Sequence, residues 1–149
     1  MQPAVSAEIL GPLPTTGTAS QLYLYPQVSC GFPSPAENFS EPPLSLDELV
    51  GVREPSCFLV RAAGTSMVEA GVYPDDILIV DRARQARSGD VVVARVGCEF
   101  LVKTLVLEGE HVSLVPANRE HRPIVLGDEE ELEIWGVCTW NLHRLGGSA

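Results

Sequence analysis

Proline is distributed unevenly along this chain, and that most limits its fold. Eight of the 12 prolines lie before Glu54, at positions 3, 12, 14, 26, 33, 35, 42 and 43. Proline lacks a backbone N–H and restricts the residue before it, so this stretch cannot hold long helices. Pro42-Pro43 is expected to be extended. Residues 1–56 therefore read as a largely extended arm with two local exceptions. The apolar patch Leu22-Tyr23-Leu24-Tyr25 has the composition of a short strand. Ser45-Leu46-Asp47-Glu48-Leu49 fits one helical turn, with Ser45 as cap and Glu48 three residues on.

From Cys57 the character changes. Short β-type runs follow one another: Phe58–Ala62, Ile77–Asp81, Val91–Val96, Phe100–Leu107, Val112–Val115 and Leu132–Trp140. Turn signals separate them, among them Tyr73-Pro74-Asp75-Asp76, Ser88-Gly89-Asp90, Val96-Gly97 and Glu108-Gly109-Glu110. Helix is plausible only just after Gly64, through Met67 and Val68. The pattern predicts a mainly β, single compact antiparallel domain. The strand Leu132–Trp140, with Ile134, Trp135, Val137 and Trp140, is a candidate for pairing across a two-fold axis, or equally for the core.

Charge and cysteine content exclude some functions. The net charge is −10, whereas a protein that grips nucleic acid by its own surface needs a basic face. No direct DNA binding is expected. No apolar run approaches the length of a membrane span. The start of the chain lacks a charged segment followed by an apolar one, so no signal peptide is expected. Cys30, Cys57, Cys98 and Cys138 contain no C-x-x-C pair. They read as free thiols in a reducing cytoplasm rather than as metal ligands or a disulfide scaffold. No metal or other cofactor is expected.

Two residues suggest chemistry. Alternate positions of the strand around Lys103 place it between Leu101 and Leu105 on an apolar face. Desolvation there would lower its pKa and suit it to act as a general base. Lys103 is also the only lysine, the other nine cations being arginines that stay protonated. The alternative is a lysine whose stem packs while its head reaches water. Ser66 sits in Ala63-Gly64-Thr65-Ser66-Met67, at the end of one element and the start of the next. Backbone N–H groups at such a position can stabilise an oxyanion. An ordinary capping serine is the alternative. A serine hydroxyl needs a base within reach, and Lys103 would serve without a histidine.

Taken together, these segments resemble the LexA/UmuD family of self-cleaving SOS proteins. The resemblance is carried by Phe58–Met67, Asp76–Asp81, Ser88–Val96 and Glu99–Lys103, with the separation of Ser66 from Lys103. Val28-Ser-Cys-Gly-Phe-Pro-Ser-Pro35 resembles the family's cleavage-site segment, and Val115–Asn118 and Ile134–Val137 its later strands. The resemblance implies a serine endopeptidase that cuts its own Cys30–Gly31 bond, with Ser66 as nucleophile and Lys103 as base. The backbone N–H groups of Thr65 and Ser66 would receive the oxyanion.

It further implies an arm, 1–30, removed by the cut; a tether, 31–56; and a peptidase domain, 57–145. The RecA–single-stranded DNA filament would stimulate cleavage. The shortened form, a homodimer, would join a Y-family translesion DNA polymerase. Repressors of the family carry an N-terminal helix-turn-helix domain, and the Pro-rich start here does not read as one. A LexA-like transcriptional repressor and a non-catalytic dimeric adaptor are the alternatives.

Overall fold

The computed structural model describes residues 8–12, 21–22, 44–52, 54–126 and 131–146. Three short strands come first: β1 (Glu8–Pro12), β2 (Gln21–Leu22) and β3 (Leu44–Ser45). β2 and β3 pair antiparallel, Leu22 opposite Leu44. Tyr23–Tyr25, the rest of the aromatic patch, lie outside the described residues. Helix α1 (Leu46–Val50) starts as its sequence predicts, with the Ser45 side chain accepting from the Glu48 N–H. Gly51 ends it in the left-handed conformation, φ 70°, which favours glycine.

The remaining strands are β4 (Cys57–Arg61), β5 (Ile77–Asp81), β6 (Val91–Val96), β7 (Glu99–Glu108), β8 (His111–Val115), β9 (Ile124–Val125) and β10 (Leu132–Leu142). With β1 they form one sheet in the order β1-β4-β5-β10-β6-β7-β8-β9. Every pairing is antiparallel, so the expected mainly β antiparallel class is what forms. Two tight hairpins set the register of its second half. Val96 pairs with Glu99 across Gly97-Cys98, and Glu108 with His111 across Gly109-Glu110. Gly97 and Gly109 adopt φ of 60° and 61°, as two-residue hairpin loops demand.

Both faces of the sheet are covered in its middle. Val60, Met67, Leu78, Val80, Val93, Val102 and Trp135 form one buried cluster. Val92, Ala94, Leu101, Leu105, Leu114 and Val137 form the other. Neighbours such as Val92 and Val93 therefore fall in different clusters, as a period of two requires. Burial on both faces is why these strands read as unbroken apolar runs.

The pairing of β10 is divided along its length. β10 lies between β5 and β6 and is hydrogen-bonded to both. β6 takes its first half, Leu132–Val137, and β5 its second, Val137–Leu142, so beyond Val137 the side away from β5 pairs with no described strand. Trp135 and Val137 are core, while Trp140 and Leu142 are exposed at its far end. β10 also changes register between Ile134 and Gly136. A Cβ on Gly136 would come within 2.5 Å of Val80 Cγ1, so glycine is what lets the strands approach here.

Candidate active site

The loop that carries Ser66 is held at both ends. β4 leaves the sheet at Arg61, and the next residue, Ala62, is buried. Its N–H donates to the Asp76 carbonyl, and its own carbonyl accepts from the Asp75 N–H, both at 2.8 Å. Gly64 then turns the chain with φ 81°. Met67, 1% exposed, anchors the far side of the turn in the core. A single 3-10 turn, Val68–Ala70, follows, closed by Gly71 at φ 81°. The helical tendency expected through Met67 and Val68 is realised only as this turn. Ser66 lies between the glycine and the anchor and is itself 1% exposed.

Lys103 occupies the middle of β7, where its neighbours along the same face, Leu101 and Leu105, are buried. It is 4% exposed, so the packed-stem, wet-head alternative does not describe it. Its Nζ lies 2.6 Å from Ser66 Oγ. Loss of hydration on burial lowers its pKa from 10.5 to about 8. Among the described residues no carboxylate pairs with the ammonium to oppose that shift. The two residues singled out from the sequence thus meet as a hydroxyl and an amine that can be neutral near physiological pH.

The other predicted site residues fare differently. Thr65 and Ser66 stand at the turn, and their backbone N–H groups meet no acceptor among the described residues. Cys30 and Gly31 lie outside the described residues. Cys57, Cys98 and Cys138 are free thiols. Among the described residues no group of three or more His, Cys, Asp or Glu side chains is placed to hold a metal ion. None of the described helices is long and apolar enough to cross a membrane.

Residues just beyond β8 brace the serine loop, a role the sequence did not reveal. Asn118 Nδ2 donates to the Thr65 carbonyl at 2.8 Å. The Ala117 carbonyl accepts from the Glu69 N–H, also at 2.8 Å. Asn118 is itself held, its Oδ1 accepting from the Glu120 N–H. The only signal for this contact was that Val115–Asn118 belonged to the resemblance; nothing local ties it to Ser66.

A second polar cluster fixes the turn before β5. Asp76, 4% exposed, accepts from the Tyr73 N–H, from Asn141 Nδ2 and from His143 Nδ1. Burial alone would raise the Asp76 pKa, but the Asn141, Tyr73 and His143 contacts outweigh it and hold it below 3.8. The cluster ties the end of β10 to the turn that pairs with Ala62, and so supports the serine loop from below.

Comparison with known proteins places this chain in a family. The Peptidase S24-like family matches residues 21–139. The chain is 39% identical to protein SamA of Salmonella typhimurium over 114 residues, 76% of this chain and 79% of SamA. It is 39% identical to protein MucA of Escherichia coli over 118 residues, 78% of this chain and 80% of MucA. It is 33% identical to the LexA repressor of Bordetella avium over 129 residues, 85% of this chain but 60% of the repressor. The chain belongs to the Peptidase S24-like family, whose members are self-cleaving serine peptidases. The LexA/UmuD resemblance read from the sequence is borne out by these matches.

Proposed function

We propose that this chain is an SOS-response protein that hydrolyses its own Cys30–Gly31 bond, with Ser66 as nucleophile and Lys103 as general base. The reading is carried by one observation, the 2.6 Å contact between Lys103 Nζ and Ser66 Oγ inside a buried site. Neutral Lys103 takes the Ser66 proton as Oγ attacks the Cys30 carbonyl. The backbone N–H groups of Thr65 and Ser66 stabilise the oxyanion. On collapse the Lys103 ammonium gives a proton to the leaving Gly31 nitrogen, and an ester joins Cys30 to Ser66. Lys103, neutral again, draws a proton from water as it attacks the ester, which releases residues 1–30 and restores Ser66.

On this reading 1–30 is the removable arm, 31–56 the tether and 57–145 the peptidase domain. The tether is long enough to fold back over the domain, at roughly 3.3–3.6 Å per extended residue, and attack within one chain gains from proximity. RecA filaments on single-stranded DNA stimulate the reaction in the cytoplasm. The shortened product, as a homodimer, serves a Y-family translesion polymerase. The acidic net charge of −10 fits a role exercised through protein partners.

The test is incubation of the purified chain at mildly alkaline pH, and with RecA filaments at neutral pH. Mass spectrometry should find a new N-terminus at Gly31, absent from Ser66→Ala and Lys103→Ala. An intact wild-type chain under both conditions rules the reading out.

A further inference from the structure

The outer edge of β4 already receives a strand. β1 runs antiparallel along it, with Glu8 opposite Arg61, Ile9 opposite Val60, Gly11 opposite Leu59 and Pro12 opposite Phe58. The other edge of β4 is committed to β5 along its whole length, from Cys57 opposite Asp81 to Arg61 opposite Ile77. β1 is thus the terminal strand of the large sheet, and β4 is the strand it covers. Both β1 and β2 precede Cys30 in the chain.

We infer that the β4 edge is a docking site for an extended segment of a partner protein, that β1 occupies it in the uncut chain, and that self-cleavage opens it. The inference rests on the cut proposed above. Covalent attachment holds β1 near its edge at an effective concentration of order millimolar. Cutting between residues 30 and 31 alters none of the β1–β4 contacts, but β1 becomes a free peptide at the concentration of the protein. In micromolar solution its advantage over a competing strand falls about a thousandfold. The cut therefore acts by dilution rather than by breaking a contact.

The vacated edge offers the backbone N–H and C=O groups of the alternate β4 residues that point away from β5. A strand that adds there gains main-chain hydrogen bonds whatever its sequence, while alternate side chains set specificity. The resident segment indicates the pattern that fits. It places an acidic residue opposite Arg61 and a branched aliphatic residue opposite Val60, then changes register before Gly11. The occupant we assign is a short extended segment of another protein in which an acidic residue precedes aliphatic ones. A second processed copy has lost its own Glu8–Pro12 with the arm, so it no longer carries this segment.

The probe is a fluorescent synthetic peptide of residues 6–14 of this chain, followed by polarisation. It is titrated onto three proteins: uncut Ser66→Ala; Ser66→Ala carrying Ile9→Pro and Leu10→Pro; and wild type processed to Gly31 and freed of its arm. Consecutive prolines remove a ladder donor from β1 whichever way its N–H groups alternate. The peptide should bind the second and third proteins at least tenfold more tightly than the first. Hydrogen exchange at the β4 amides that face β1 should quicken in those two and slow again with peptide, while β5 and β10 stay protected.

Equal binding to all three overturns the inference, as does rapid exchange of β4 in uncut Ser66→Ala. Concentration-dependent protection of β4 without peptide would assign the edge to a second copy and also overturn it. If wild type yields no Gly31 terminus, the proposed function fails, and the proline variant still reads the edge by itself.

Discussion

Asn118 donates its side-chain amide to the Thr65 carbonyl at 2.8 Å, so a residue beyond β8 orients the peptide that leads into Ser66. The hydroxyl can meet Lys103 only if that peptide holds its place. One such hydrogen bond contributes about 1 kcal/mol net, and about 1.4 kcal/mol at a barrier is tenfold in rate. Asn118→Ala should slow self-cleavage about fivefold while lowering the melting temperature by only a few degrees. A time course at alkaline pH beside a thermal melt separates the two, and an unchanged rate would mean the brace is idle.

The pH profile follows from Lys103. Its pKa of about 8 leaves roughly a tenth of the lysines neutral at pH 7. The cleavage rate should rise with pH to about 8 and flatten above it. Stopped samples across pH 6 to 10 would show this by gel. A midpoint near 10.5 would mean that Lys103 is not the base.

The same shift weakens the fold. Lys103 titrates near 10.5 when unfolded and near 8 when folded, so between these values the unfolded chain binds more protons and stability rises with pH. The penalty is full below about 8 and absent above 10.5. It is on the order of 3 kcal/mol. Lys103→Met should therefore stabilise the protein at pH 7, by about 1–3 kcal/mol once the lost Ser66 contact is allowed for. Urea titrations at pH 7 and pH 10.5 should show the gain at the first and its loss at the second.

Gly136 has no room for a side chain. Its added Cβ would meet Val80 Cγ1 at 2.5 Å and the Asp81 carbonyl oxygen at 3.2 Å. Gly136→Ala should cost about 1–3 kcal/mol, the range for overpacking. Chemical denaturation gives the value directly, and a neutral result would show that β10 shifts freely past β5.

Local signals announced the β domain well. Ile77–Asp81 and Val91–Val96 form as predicted because turn residues bound each apolar run. The Ser45 cap and Glu48 acted locally, so α1 was legible too. β10 ran past Trp140 to Leu142 because its pairing with β5 continues to Ile77. β1 was not anticipated: its Gly11 and Pro12 argue against a strand, and the partner that makes it one lies beyond residue 56. The place of β10 between β5 and β6 was not legible for the same reason, since strand order does not follow chain order.

The sequence by itself determined the chemistry available: one lysine on an apolar stretch of strand, and one serine after a glycine turn. These are local properties, set by alternation and by backbone freedom. Only the tertiary structure decided that the two meet at 2.6 Å, that Asn118 holds the loop between them, and that β1 covers β4. Each of those contacts joins distant parts of the chain, and which distant strands pair depends on how the whole sheet buries both its faces.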